Sequence, residues 1–404
     1  MKLNVKLYDK LVGELIDKDG KIFFRYDKEF LKQGYSISPI KLPLEGRIFS
    51  NNEYYHYFQG LMGVFNDSLP DKFGNKIIEQ YYKSKGLDIN SMSVLQKLIY
   101  IGNRSIGALE YEPSEDDIPT NEAIHLKELV ESARSVIKGQ NILPEIMEAS
   151  ASVGGARTKA LITIHKKTNE MISGDILDEN WDNYIIKFDT IEDTPNDYTK
   201  IEYIYMKLAK LAGLDVSEVD LINQDNYTHL LVKRFDRVHQ EKIHLHSLCG
   251  ITQIDFNIPK LFSYEKFMII TELLTKDYSM IEEAFKRMVF NIIGRNQDDH
   301  LKNFSFLMDK EGKWKLSPAY DVTYAFGAGY TKEHQMTINN KSKDIKYNDI
   351  LAVAKQFNIK KAKKIIEKIE DIFNENFEEM AKELDIDKNK IELIKSNIRT
   401  YNGK

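Results

Sequence analysis

The chain has 404 residues, 42% hydrophobic and 29% charged, enough to bury a large core spread over two or three structural units. Its formal net charge is −5, so no overall basic field draws it to nucleic acid or to an anionic membrane. Cys249 is the single cysteine, which excludes an internal disulfide and any CxxC metal site; its apolar run Leu248-Cys249-Gly250-Ile251 reads as buried packing.

In chain order, Met1 to Tyr8 alternates polar and apolar residues like a strand and lacks the apolar stretch of a signal peptide. No later segment approaches the ~20 apolar residues of a membrane span, so the expected location is cytoplasmic, without membrane contact. Val5 to Leu7 and Val12 to Ile16 read as strands, and Asp19-Gly20 as a hairpin turn before Ile22-Phe23-Phe24. A helical pattern from Glu53 to Lys83 is interrupted near Pro70, and Gly102 to Tyr111 reads as a closing strand. Residues 1–112 therefore form a small α+β unit, followed by an acidic linker containing Ser114 to Asp117 and Pro119.

The second unit spans 121–258. Glu122 to Lys138 has the spacing of an amphipathic helix, and Ala160 to His165 and Tyr184 to Phe188 read as strands. Ile201 to Ala212 is a helix ending at Gly213, and Val219 to Ile222 and His229 to Lys233 add two strands. Residues 259–404 are mainly helical, apart from a hairpin around Glu311-Gly312. A strand-rich block followed by a helix-rich block predicts an α+β chain of two lobes with a cleft between them.

Three constellations carry chemistry. Ser152-Val153-Gly154-Gly155-Ala156-Arg157-Thr158-Lys159 precedes a strand, and adjacent glycines let backbone N–H groups approach phosphate oxygens. Lys187 sits in the apolar strand Tyr184-Ile185-Ile186-Lys187-Phe188 and needs solvent or an anionic partner; Glu202, near the start of the next helix, can supply one. Asn296-Gln297-Asp298-Asp299-His300-Leu301-Lys302-Asn303 is followed after the hairpin by Tyr320-Asp321-Val322. One aspartate can take a hydroxyl proton, Asn303 and Asp321 can offer hard oxygen ligands to Mg2+, and Lys302 can neutralise phosphate charge. Spacing alone allows either Asp298 or Asp299 as the base. A glycine turn, a strand lysine and DxxxxN…D in this order match the needs of phosphoryl transfer. The Walker A, GxGxxG, HExxH and GxSxG patterns are all missing, and His244 with His246 makes a poor zinc pair.

With these residues assembled, the chain resembles the HipA family of bacterial toxin kinases over nearly its whole length. Further matching segments are Phe65-Asn66-Asp67-Ser68-Leu69-Pro70-Asp71, Gly107-Ala108-Leu109 and Lys233-Arg234-Phe235-Asp236-Arg237. The resemblance implies a two-lobed protein-kinase-like fold behind a small N-terminal subdomain, and an ATP- and Mg2+-dependent serine/threonine kinase. It makes Asp298 the base and Asn303 and Asp321 the metal ligands. It gives the phosphates to Lys187 and the backbone of Val153 to Lys159. It sets Lys233, Arg234 and Phe235 as the hinge against adenine, with His300, Lys302 and Tyr320 around the nucleotide.

It further implies autophosphorylation of Ser152 as an off-switch, since phosphate beside a phosphate-binding loop repels ATP. The implied partners are a helix-turn-helix antitoxin of HipB type, DNA only through that antitoxin, and a translation component such as an aminoacyl-tRNA synthetase as substrate. Two departures stand out: His244-Leu245-His246-Ser247 replaces a stretch where the family has a Glu-Asp pair, and Lys233 stands at a hinge position that carries glutamate in the best-known member. The alternative from another class is a catalytically silent kinase fold acting as a corepressor.

Overall fold

A computed structural model describes residues 1–404 except 53–54, 71, 88–91, 116–122, 138–157, 190–196 and 402–404. The N-terminal unit is built on an antiparallel sheet of β1 (Lys2–Leu7), β2 (Lys10–Lys18), β3 (Lys21–Tyr26), β4 (Ile48–Ser50) and β5 (Leu109–Glu112), in the order β4-β3-β2-β1-β5. Alternation in β1 sends Leu3, Val5 and Leu7 into the core. Asp19 and Gly20 both take positive φ (54° and 76°), as a tight two-residue hairpin demands. Phe24, Phe65, Tyr100 and Tyr111 fill this core, and Met308 from the distant C-terminal part completes it.

Two expectations need correction here. The helical run from Glu53 to Lys83 is three pieces, Tyr55–Phe58, Gly63–Asn66 and Lys72–Ser84. Gln59 and Gly60 have positive φ (50° and 80°), which ends the first of them. The closing strand from Gly102 shrinks to β5, because the turn before it spends its backbone groups on Asp236 and Arg237.

A second antiparallel sheet holds β6 (Lys159–His165), β7 (Met171–Ser173), β8 (Trp181–Lys187), β9 (Val219–Gln224) and β10 (Tyr227–Lys233), ordered β7-β6-β8-β10-β9. Lys159 and Leu230 flank Lys187 in register, which sets β8 at the centre. The helix Tyr198–Ala212 is capped by Gly213 at φ 87° and lays Tyr205 against Phe290, Phe373 and Phe377. Its contacts join the strand-rich block to the helical one.

The helical block is led by Tyr264–Thr275, Tyr278–Ile293 and Ala362–Glu383, around a core that includes Phe267, Phe285 and Phe290. Inside it lies a small sheet of β11 (His244–Ser247), β12 (Ser305–Met308) and β13 (Trp314–Leu316). The turn between β12 and β13 is the expected Glu311-Gly312 hairpin, with Gly312 at φ 80°. Among the described residues no helix is long and apolar enough to cross a membrane.

Candidate active site

Lys187 is buried at the end of the central strand, where an unpaired ammonium would be costly. Its Nζ is in contact with Glu202, from the first turns of the following helix, and with Asp321. Burial alone would lower the lysine's pKa, but Asp321 and then Glu202 overcome it and raise it above the usual value. Burial likewise pushes the Asp321 carboxyl up, yet Lys187, Lys159 and His300 pull it down to about 2. The group is therefore a carboxylate at any physiological pH. Asp321 itself takes φ +53°, the left-handed region that aspartate tolerates better than most residues.

The loop 296–303 leaves the C-terminal end of Tyr278–Ile293 and carries two adjacent aspartates with different fates. Asp299 is fully buried and accepts from the Tyr264 hydroxyl (2.8 Å), His334 Nδ1 (2.7 Å) and the Gln335 N–H (2.7 Å). Its oxygens are committed to holding the loop. Asp298 keeps 43% of its side chain exposed, with His300 Nε2 at 3.8 Å. Asn303 donates through Nδ2 to the Asp298 carbonyl (2.8 Å), which leaves the amide oxygen for a cation. The Tyr320 hydroxyl donates to the Lys302 carbonyl (2.6 Å) and meets Ser305 Oγ (2.6 Å), so the residue before Asp321 is tied to this loop.

Asn303, Tyr320 and Asp321 line one cavity, together with Asn296, whose buried Oδ1 has no partner. The Asp321 carboxylate and the Asn303 amide oxygen are hard donors of the kind a divalent cation takes, and the Lys187 ammonium holds the carboxylate in the place that such a cation would share. His300 packs at a tilt against Phe256 (4.6 Å between ring centroids, 51° between planes), and burial lowers its pKa against the opposing pull of Asp298 and Asp321.

At the sheet edge, Phe235 lies 5.6 Å from the Tyr320 ring. Lys233 reaches Asp182 (3.1 Å) and Glu218 (3.6 Å). Thr158 accepts the Phe188 N–H (3.1 Å) and so anchors the end of the glycine turn beside β8. Ser152, Val153, Gly154, Gly155, Ala156 and Arg157 lie outside the described residues.

Two side chains stand away from the place expected of them. The Arg234 guanidinium is fully buried between Asp175 and Asp236. The Lys302 ammonium lies over the rings of Tyr57 and Phe256, 5.6 and 5.9 Å from their centroids. His244 and His246 are buried in separate hydrogen bonds, His244 Nε2 with the Ile37 carbonyl (2.9 Å) and His246 with Asp67 (2.7 Å) and Ser38 (2.9 Å). Burial pushes the Cys249 thiol up to about 12, as packing rather than reactivity requires.

Sequence reasoning missed the buried cluster of Asp175, Arg234, Asp236 and Arg237. Arg237 donates to the carbonyls of Gly107 (2.8 Å) and Ser105 (2.9 Å), and the Gly107 N–H donates to Asp236 (2.7 Å). The sequence signal was Arg-Phe-Asp-Arg itself, four residues too charged to be buried without a network.

Residues 151–384 match the family profile described as HipA-like C-terminal domain, and residues 3–112 match that of the HipA N-terminal domain. The chain belongs to the HipA family. That places it in a family of serine/threonine kinases, and its mixed α and β architecture is the one expected. Among HipA relatives, the serine/threonine-protein kinase toxin HipA of Shewanella oneidensis is 25% identical over 349 residues, covering 80% of this chain and 75% of its own. A putative kinase of Sinorhizobium fredii is 24% identical over 350 residues, covering 79% and 76%. Of solved structures, the Shewanella oneidensis HipA in complex with HipB and operator DNA superposes with a TM-score of 0.71. It is 18% identical and covers 98% of this chain and 95% of that one.

Proposed function

We propose that this protein is an ATP- and Mg2+-dependent protein serine/threonine kinase that acts as the toxin of a toxin–antitoxin pair in the cytoplasm. The observation that carries the reading is the buried Lys187, shared between a helix glutamate and Asp321, beside a loop that exposes Asp298 and commits Asp299. Bound magnesium would neutralise charge on the phosphate oxygens.

The chain's own residues do the rest. Lys187 turns from Asp321 toward phosphate while Glu202 keeps it oriented. Lys159 and the backbone of Val153 to Thr158 hold the phosphates. Asp321 and Asn303 offer the metal oxygen ligands. Asp298 accepts the proton of a serine or threonine hydroxyl as it attacks, and His300 beside it limits access of water. The backbone from Lys233 to Phe235 borders the adenine, with the Phe235 ring against Tyr320. Ser152 is the site of self-phosphorylation that switches the site off. The protein partner is a helix-turn-helix antitoxin of HipB type, in keeping with the assembly of the Shewanella relative, and the substrate is a component of translation.

Transfer of γ-phosphate from ATP to a protein serine, including Ser152, is the direct test. Asp298→Ala is expected to lower kcat about 10²- to 10⁴-fold, the span that general-base removal produces, while ATP affinity changes little. Equal transfer by parent and variant would remove Asp298 from its role. Tight ATP binding with no transfer by either would favour a silent corepressor.

A further inference from the structure

Lys302 lies in the short turn Leu301–Asn303, between the exposed Asp298 and the metal loop, yet its side chain runs the other way. Its ammonium is cupped by two aromatic rings set edge to face, Tyr57 and Phe256, with centroids 5.3 Å apart at 86°. A half-buried cation held against aromatic faces is a directional contact. Behind the rings is Asp67, a buried carboxylate that accepts from His246 Nδ1 (2.7 Å), the Ser247 N–H (2.7 Å) and Ser247 Oγ (2.6 Å). Burial works against the Asp67 charge, and His246 and then Lys302 hold it ionised. Tyr57 and Asp67 both belong to the N-terminal unit, far in sequence from the loop that they meet.

We propose that Lys302 is a positioning residue that pins the loop Asp298–Asn303 to the N-terminal unit through Tyr57 and Asp67, with Phe256 as the other wall of its seat, and is not a phosphate ligand. The inference rests on the phosphotransfer reading above. It makes the first 112 residues part of the apparatus that aims Asp298.

The test uses the full-length chain and compares the parent with Lys302→Met, Tyr57→Leu, their double variant and Lys302→Arg. Phosphate transfer gives kcat and KM for ATP, and calorimetry gives the affinities for ATP and AMP. Each single variant is expected to lower kcat about tenfold while ATP affinity stays within about threefold, as loss of an aligning contact does. The double variant should be no worse than either single one, because both remove the same contact. Lys302→Arg should recover most of the rate, since a guanidinium stacks on the same rings.

A selective loss of ATP over AMP binding in Lys302→Met, additive with Tyr57→Leu, would make Lys302 a phosphate ligand and overturn the proposal. Rates equal to the parent in both single variants would also overturn it. If Tyr57→Leu does not fold, Phe256→Leu removes the other wall and is read the same way. Asp298→Ala separates the two levels. If it stays fully active, Asp298 is not the base that Lys302 is proposed to aim and both assignments fall; transfer by none of the proteins, the parent included, would sink the phosphotransfer reading itself. If it is dead while Lys302→Met is unimpaired, only the positioning role falls.

Discussion

Asp298 and Asp299 are the same residue type one position apart, and burial and hydrogen bonding set their surroundings apart. The sequence offered both as a base, and the proposal of Asp298 rests on the way Tyr264, His334 and Gln335, contributed by other segments, take up Asp299. Glu202 was legible because a buried strand lysine needs an anion and the next helix brings one within reach. The aromatic seat of the Lys302 ammonium was not legible, because Tyr57 lies in a different unit. His244 carries a residue-scale prediction. Burial lowers its pKa to about 4, so between about pH 6.5 and 4 the unfolded chain binds a proton that the native chain refuses. Stability therefore falls on acidification, by about 2 kcal/mol from this group at pH 5. His229, also lowered to about 4 by burial, adds in the same direction. Urea titrations of the parent and His244→Gln at pH 7 and pH 5 should give the variant the smaller acid loss; equal losses would count against the assignment.

Elements meet most closely where the helices Gly63–Asn66 and Leu248–Thr252 cross. A Cβ on Gly63 would overlap the Gly250 carbonyl, and one on Gly250 would overlap the Asp67 carboxylate and the His246 ring. Both glycines are needed for approach rather than for an unusual φ. Gly250→Ala is expected to cost about 1–3 kcal/mol through overpacking, since the Asp67 carboxylate, the His246 ring and the Gly63 carbonyl must all yield. A thermal melt of the variant matching the parent would mean that the helices do not touch as described. Strand positions and the Asp19-Gly20 hairpin were readable from alternation and turn chemistry, which are local. The shortened β5 was not, because the competing bonds reach Asp236 and Arg237, far along the chain; the break in the helical run turns on the positive φ of Gln59 and Gly60.

At the scale of the whole molecule, the N-terminal unit grips the strand-rich block through the buried charges at Arg234, Asp236 and Arg237 and the helical block through Tyr57, Asp67 and Tyr8. Replacing Asp236 by Asn leaves two buried guanidiniums short of a counter-charge, a change expected to cost about 3–5 kcal/mol. The loss should appear as a lower urea midpoint and as faster hydrogen exchange at the Gly107 amide, whose acceptor is Asp236. Unchanged exchange at Gly107 would show that the bond is not made in solution. Another contact of the same unit bears on how the protein is made. Met308 seals the N-terminal core, and its carbonyl accepts from the Tyr8 hydroxyl at 2.8 Å. Segments made first ordinarily fold first during synthesis. Here the opening segment leaves the ribosome with a gap in its interior that is filled only once β12 has emerged. A nascent chain stalled before that strand carries a half-finished apolar surface, a natural landing place for chaperones.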